Sequence, residues 1–180
     1  LPLKEDQGNK MKKCYVMVGV PASGKSTFVK NVISVDPEHF FVYSTDQFID
    51  DAATHFNSTY NEMFESNIKG ATASMNKLLE EAVADKRQWI IWDQTNLGIK
   101  KRKTIIDKMK SMGYSVKCVS FIPPETQDEL AEWTRRLESR PGKTIPDHIL
   151  NSMMANYQKP ELSEGFDDIE TYDMFGTVIT

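Results

Sequence analysis

The stretch "CYVMVGVPASGKST", residues 14–27, decides the fold. Its first half, 14–19, is a short apolar run rich in β-branched residues and bounded by glycine, which predicts a buried strand. Its second half matches G-x-x-x-x-G-K-[ST] through Gly19, Gly24, Lys25 and Ser26. Glycines at those positions let backbone N–H groups curl around phosphate oxygens. The lysine adds a charge at the outer phosphates, and the serine hydroxyl can ligate a magnesium ion. A helix is predicted to start at the loop's end and run over 25–34. The whole segment 19–27, including Ala22, Ser23 and Thr27, is therefore a candidate phosphate cradle, with Ser26 a metal ligand.

Outward from that loop, strand-like and helical stretches alternate. Apolar runs at 40–44, 88–92 and 114–122 read as further strands. Thr45 and Asp46 follow the second run and can cap a helix over 46–56. A long helix is predicted over 60–86, with Phe64, Ile68, Ala71, Met75, Leu78 and Ala82 as its core stripe. Another follows over 99–112, stopped by Gly113. After Pro123 and Pro124 a helix covers "ETQDELAEWTRRLESR" (125–140), and Pro146 opens a last one to about Tyr157. The tail reads as loop and one edge strand. This alternation predicts an α/β sandwich around a mostly parallel sheet, with a helical lid.

Composition sets bounds. The chain has 180 residues, 39% hydrophobic and 27% charged, which suits one globular domain over 13–180. Residues 1–12 are polar and aperiodic and read as a flexible extension preceding the core, with Met11 a candidate natural start. The net charge of −4 rules out a protein-wide basic field, so a polyanion needs a local patch. No apolar run approaches membrane-span length, and the expected location is the cytoplasm, the host's if the gene is a phage's. Cys14 and Cys118 each sit in an apolar run and read as buried thiols, not as a disulfide or metal cluster. No obligatory protein partner is expected.

Ligands in such sheets sit at the carboxyl ends of the strands. Asp46 stands just past the second strand, where it can take the proton of an attacking hydroxyl or serve as a helix cap. Asp93 stands just past the third, where it can hold magnesium or its water shell or belong to a turn with Asn96. Arg136 and Arg140 lie one helical turn apart before a Pro-Gly break. They read as lid arginines that close over a transferred phosphoryl group, or as partners of Glu129 and Glu132. The run Lys100, Lys101, Arg102, Lys103 opposes the dipole of its own helix, which points either to an anionic partner or to a solvated face.

Taken in order, these segments resemble the 5′-hydroxyl polynucleotide kinase family. "GVPASGKST" is similar to that family's phosphate loop and "STDQF" to its segment carrying the base, here Asp46. "IIWDQTN" is similar to its D-x-T-N turn, here Asp93, Thr95 and Asn96. "RPGKTIPDHILNSM" and "YQKPELSEGFDDI" resemble segments that follow the lid. The resemblance spans nearly all of 14–170. It implies transfer of the γ-phosphate of ATP, with magnesium, to the 5′-hydroxyl of DNA or RNA. It also implies catalytic roles for Lys25, Asp46 and Arg136. ATP would be held by Gly19, Ala22, Ser23, Gly24, Lys25, Ser26, Thr27, Arg136 and Arg140, and the metal by Ser26 and Asp93. The acceptor would be held by Asp46, Thr95, Asn96 and Arg102. Two departures stand out. An arginine three residues past the base is Ile49 here. "DMFGT" (173–177) is similar to the nucleophile motif of an appended haloacid dehalogenase-type phosphatase but has Phe175 at the second acidic position, so no phosphatase activity is expected. The same chemistry on another acceptor, such as a nucleoside, a small hydroxyl compound or a modified base in DNA, and a non-catalytic nucleotide-binding module are the competing readings.

Overall fold

Each predicted strand forms, and each lies in one sheet. The computed structural model describes residues 12–140 and 142–179, so the extension expected over 1–12 falls, Lys12 apart, outside the described residues. The elements in order are β1 (Lys13–Val18), α1 (Lys25–Ile33), β2 (Phe40–Tyr43), α2 (Thr45–His55), α3 (Tyr60–Ala84), β3 (Trp89–Trp92), α4 (Ile99–Ser111), β4 (Ser115–Phe121), α5 (Gln127–Glu138), α6 (Asp147–Asn156) and β5 (Asp168–Tyr172). The sheet order is β2-β3-β1-β4-β5. Every pairing of neighbours is parallel, with Val16 of β1 opposite Trp92 of β3 on one side and Cys118 of β4 on the other. The expected edge strand at the tail is β5.

Side-chain alternation along β1 builds two layers. Cys14, Val16 and Val18 face a cluster with Met75 and Leu79 of α3 and Ile105, Ile106 and Met109 of α4. Tyr15 and Met17 face the other cluster, with Val29 and Val32 of α1. Both cysteines are free and buried, as expected. A third cluster lies past the strands, where Val20 and Leu97 meet Trp133 of α5, Leu150 of α6 and Met174. That cluster seats the two lid helices on the loops that follow β1 and β3.

The expected core stripe of α3 needs correcting. Ala71, Met75, Leu79 and Ala82 are its buried residues, whereas Phe64 and Leu78 are 39% and 41% exposed. A 25-residue helix runs for roughly 37 Å, against roughly 13 Å for the four-residue strands β2 and β3. Its first turns therefore have no sheet beneath them. The cap of α2 also differs from expectation: Ser44 Oγ accepts from the Gln47 N–H at 3.1 Å, so neither Thr45 nor Asp46 is the cap.

Candidate active site

The helix after β1 packs on one face of the sheet and the helix after β3 on the other, so a crevice opens between their loops at the strands' carboxyl ends. The Gly19 N–H donates to the Thr95 carbonyl at 3.0 Å and pins the two loops together. Within the first loop, a Cβ on Gly19 would lie 2.7 Å from Ser23 Oγ, so the loop's return requires glycine there. Ala22 and Gly24 take positive φ, 61° and 112°, which curls the backbone toward the crevice. Gly24 is the N-cap of α1, no side chain caps that helix, and its first turn carries no acid. The free N–H groups and the helix dipole therefore favour an anion.

Lys25 folds back over its own loop, its Nζ donating to the Gly19 carbonyl at 2.6 Å. Burial lowers its pKa to about 8, against the pull of Asp93 and Asp46. Burial likewise raises the Asp93 carboxyl, Lys25 opposes that shift, and Asp46 adds to it. Two carboxylates and an amine thus share a small space at the ends of β1, β2 and β3. Thr45 Oγ1 donates to Gln94 Oε1 at 3.1 Å, which ties the loops after β2 and β3. Asp46, released from capping, is exposed and accepts from Tyr60 OH through Oδ1 at 2.6 Å.

Two cavities flank Lys25. One, about 700 Å³, lies over the phosphate loop and the start of α1 and is walled by α5 and the 172–176 tail. The other, about 530 Å³, holds Asp46, Asp93 and Thr95 under α3 and the 143–153 segment. Ala22, Lys25, Ser26, Arg140 and Lys143 line both. Three cations, Lys25, Arg140 and Lys143, thus stand on the wall that the two cavities share.

The predicted residues divide on these facts. Gly24, Lys25, Ser26, Thr27, Ala22, Asp46, Asp93, Thr95, Arg136 and Arg140 reach one cavity or both. Gly19 serves as the hinge of the loop. The Ser23 hydroxyl is buried, with the residue 1% exposed, so what Ser23 can offer a phosphate is its backbone N–H. Asn96 is a correction. It is fully buried at φ 47°, and its Nδ2 donates to the Met17 carbonyl at 2.7 Å, so it fixes the turn and cannot touch an acceptor.

Arg102 is the largest correction. It is fully buried, paired through two nitrogens with Glu164 at 2.8 and 3.1 Å, and bonded to the Asn96 and Leu97 carbonyls. A guanidinium so enclosed supports the 94–97 turn from behind and cannot grip a backbone phosphate. Its neighbour Lys101, not Arg102, lines the second cavity.

The two lid arginines also differ. Arg136 bonds Glu132 Oε1 at 2.9 Å, the Ala22 carbonyl at 3.3 Å and the Met174 carbonyl at 2.8 Å, stitching α5 to the phosphate loop. Trp133 Nε1 reinforces this with a 2.7 Å bond to the Pro21 carbonyl. Arg140 has a buried Nη1 with no partner among the described residues and faces both cavities. Ile49, at the position of the family arginine, is fully buried core. Asp173, in the motif similar to a phosphatase nucleophile, caps a turn by accepting from Phe175 and Thr177 N–H at 2.9 Å.

Tyr60 and Lys143 are residues that sequence reasoning missed. Lys143 Nζ pairs with Asp50 at 2.8 Å and stands 4.6 Å over the Tyr60 ring. The capping box Thr59-x-x-Glu62 marks the helix that carries Tyr60, but no local signal points to its reach toward Asp46.

A family model described as an AAA domain matches residues 15–160. The chain belongs to this AAA domain family. Among curated relatives, a putative bifunctional polynucleotide phosphatase/kinase of Acanthamoeba polyphaga mimivirus is 28% identical over 91% of this chain and 34% of its own length. The bifunctional polynucleotide phosphatase/kinase of Schizosaccharomyces pombe is 24% identical over 86% of this chain and 32% of its own. The mouse heterogeneous nuclear ribonucleoprotein U-like protein 2 is 27% identical over 86% of this chain and 20% of its own. The chain thus spans a fifth to about a third of these relatives. A solved structure of the Pnkp1/Rnl/Hen1 RNA repair complex superposes with a TM-score of 0.55 at 21% identity, covering 81% of this chain and 44% of that one. The PezAT toxin-antitoxin structure of Streptococcus pneumoniae reaches 0.58 at 17% identity, covering 95% and 72%. This AAA-domain chain thus has a P-loop kinase-like fold and is similar in sequence to the polynucleotide phosphatase/kinases. No helix of the described residues is long and apolar enough to cross a membrane.

Proposed function

We propose that the protein transfers the γ-phosphate of ATP to the 5′-hydroxyl of a DNA or RNA end. The observation that carries the reading is the pair of cavities meeting at Lys25, Ser26, Arg140 and Lys143, with the phosphate loop in one and Asp46 in the other. Asp46 takes the proton of the acceptor hydroxyl as its oxygen bonds to the γ-phosphorus and the bridging bond to ADP breaks. Lys25 and Arg140 spread the charge on the equatorial and leaving oxygens. Arg136 holds α5 against the loop and keeps the donor cavity formed.

Ser26, exposed at the open N-terminus of α1, and Asp93, whose half-buried carboxyl a cation would relieve, fit a magnesium ion. Among the described residues no group of three or more His, Cys, Asp or Glu is placed to hold a metal. Magnesium kinases characteristically use one or two protein ligands plus substrate phosphates. When bound, the ion would screen the donor's phosphate charge.

A second reading has its own support. Phe64, Ile68, Ile145, Ile149 and Met153 give the acceptor cavity an apolar wall, and its volume suits a single nucleoside. A 26% identical adenylate kinase from Sulfurovum matches over 83% of this chain and 81% of its own length. An acceptor panel with γ-labelled ATP separates the two. The nucleic-acid reading expects label on 5′-hydroxyl oligonucleotides and none on the same oligonucleotides already 5′-phosphorylated. Efficient labelling of free nucleosides or nucleoside monophosphates with none on oligonucleotides overturns it in favour of the small acceptor.

A further inference from the structure

The Asp46 carboxylate is held from behind by a side chain belonging to another element. Tyr60 is the first residue of α3, and its hydroxyl donates to Asp46 Oδ1 at 2.6 Å across the α2–α3 turn. Three sets of contacts fix the tyrosine itself. Thr59 and Glu62 close a reciprocal capping box around it, at 3.3 and 3.1 Å. Asn61 locks the same turn to the post-lid segment, its N–H donating to the Gly142 carbonyl and its side chain exchanging two bonds with the Thr144 backbone, at 2.9 and 2.8 Å. The ring lies 5.8 Å from that of Phe64 and carries Lys143 over its face. Tyr60 and Asp46 both line the acceptor cavity.

We infer that Tyr60 is a positioning residue for the phosphoryl transfer proposed above. It occupies one oxygen of Asp46 so that the other is presented to the acceptor hydroxyl. The inference rests on the reading of Asp46 as the base. A carboxylate on an exposed helix start otherwise rotates freely, and productive geometry tolerates only about 0.5 Å of misplacement. Burial and the neighbouring Asp46 push the Tyr60 phenol well above its usual range, so it remains a protonated donor across the neutral range. Because Lys143 lies over the Tyr60 ring while Gly142 and Thr144 bond the adjoining Asn61, the post-lid segment and the base are set by one junction.

The test is a double-mutant cycle of Tyr60→Phe and Asp46→Asn, read by steady-state labelling with ATP and by equilibrium ATP binding. Phenylalanine keeps the ring packing and removes one hydroxyl, and an unchanged thermal midpoint confirms that the fold is intact. Tyr60→Phe should lower kcat about tenfold to a hundredfold, the scale of a hydrogen bond to a charged group, with ATP affinity and acceptor KM within about twofold. In the Asp46→Asn background the same change should alter kcat less than about twofold, because a residue that acts through Asp46 has nothing left to position. Full kcat in Tyr60→Phe, or a loss of equal size in both backgrounds, overturns the inference while leaving Asp46 as base. Wild-type kcat in Asp46→Asn instead removes the base reading, and this inference with it.

Discussion

At the scale of single residues, Lys25 is the donor-side residue of the proposed transfer. Its amine is lowered to about 8 because half-burial in the loop outweighs the attraction of Asp93 and Asp46. A bound triphosphate adds negative charge and raises that value again, so ATP binding is linked to proton uptake above about pH 8. ATP affinity should fall as pH rises from about 8 to 10, by up to about tenfold per unit, and hold steady from 6.5 to 7.5. Calorimetric titrations across that range check it, and an affinity flat to pH 10 would contradict the coupling. Lys25→Ala should abolish turnover, remove this pH dependence and leave the unfolding curve unchanged, since the amine's hydrogen bond is to its own loop.

Among the elements, α4 shows how a charge pattern misleads. Arg102 lies three and four residues before Ile105 and Ile106, on the buried stripe that continues to Met109. That spacing was visible in the sequence and marks a core position. Its partner Glu164 is 62 positions away, which no local pattern discloses. Arg102→Ala leaves Glu164 buried and unpaired and should destabilise the fold by about 3–5 kcal/mol. The double change Arg102→Met with Glu164→Leu should restore much of that loss. Urea unfolding measures both; a stable Arg102→Ala protein with a raised acceptor KM would return the residue to the binding surface.

Legibility followed the same physics elsewhere in these elements. Buried parallel strands are apolar runs that end at glycine, proline or a strand-end acid, so β1 to β4 could be placed from the sequence, whereas β5, DIETY, is exposed to half-buried and reads only as one edge strand somewhere in the tail. The rule that ligands gather at strand ends singled out Asp46 and Asp93, and the family resemblance added Thr95; all three line one cavity. Asn96 obeyed the rule in position but not in direction, because a left-handed turn folds its side chain back into the sheet. Tyr60 and Lys143 reach the site from a helix start and a loop, and only the packing of α3 against residues 142–144 brings them there.

Over the whole molecule, the net charge of −4 and an acceptor cavity containing Asp46, Asp50, Glu65 and Asp93 leave little room for a broad polyanion surface. With Arg102 enclosed, Lys101 is an exposed cation that lines that cavity, beside Arg140 and Lys143. Lys101→Ala should raise oligonucleotide KM and flatten its log–log salt dependence by about 0.7, the contribution of one phosphate contact on a single strand. ATP KM should not move. A salt slope unchanged by Lys101→Ala would show that the strand leaves the cavity by another route.

The central claim is that phosphate passes from the loop cavity to a hydroxyl beside Asp46, and a single-turnover comparison of wild type with Asp46→Asn tests it most directly. ATP is bound in equal amount to both proteins, verified by equilibrium titration, and transfer to a 5′-hydroxyl oligonucleotide is then timed. The account predicts equal ATP occupancy and a transfer rate lower by about 100-fold or more in the variant, the scale of losing a positioned general base. Equal transfer rates, or a variant that binds ATP poorly yet transfers at full speed once saturated, would contradict it.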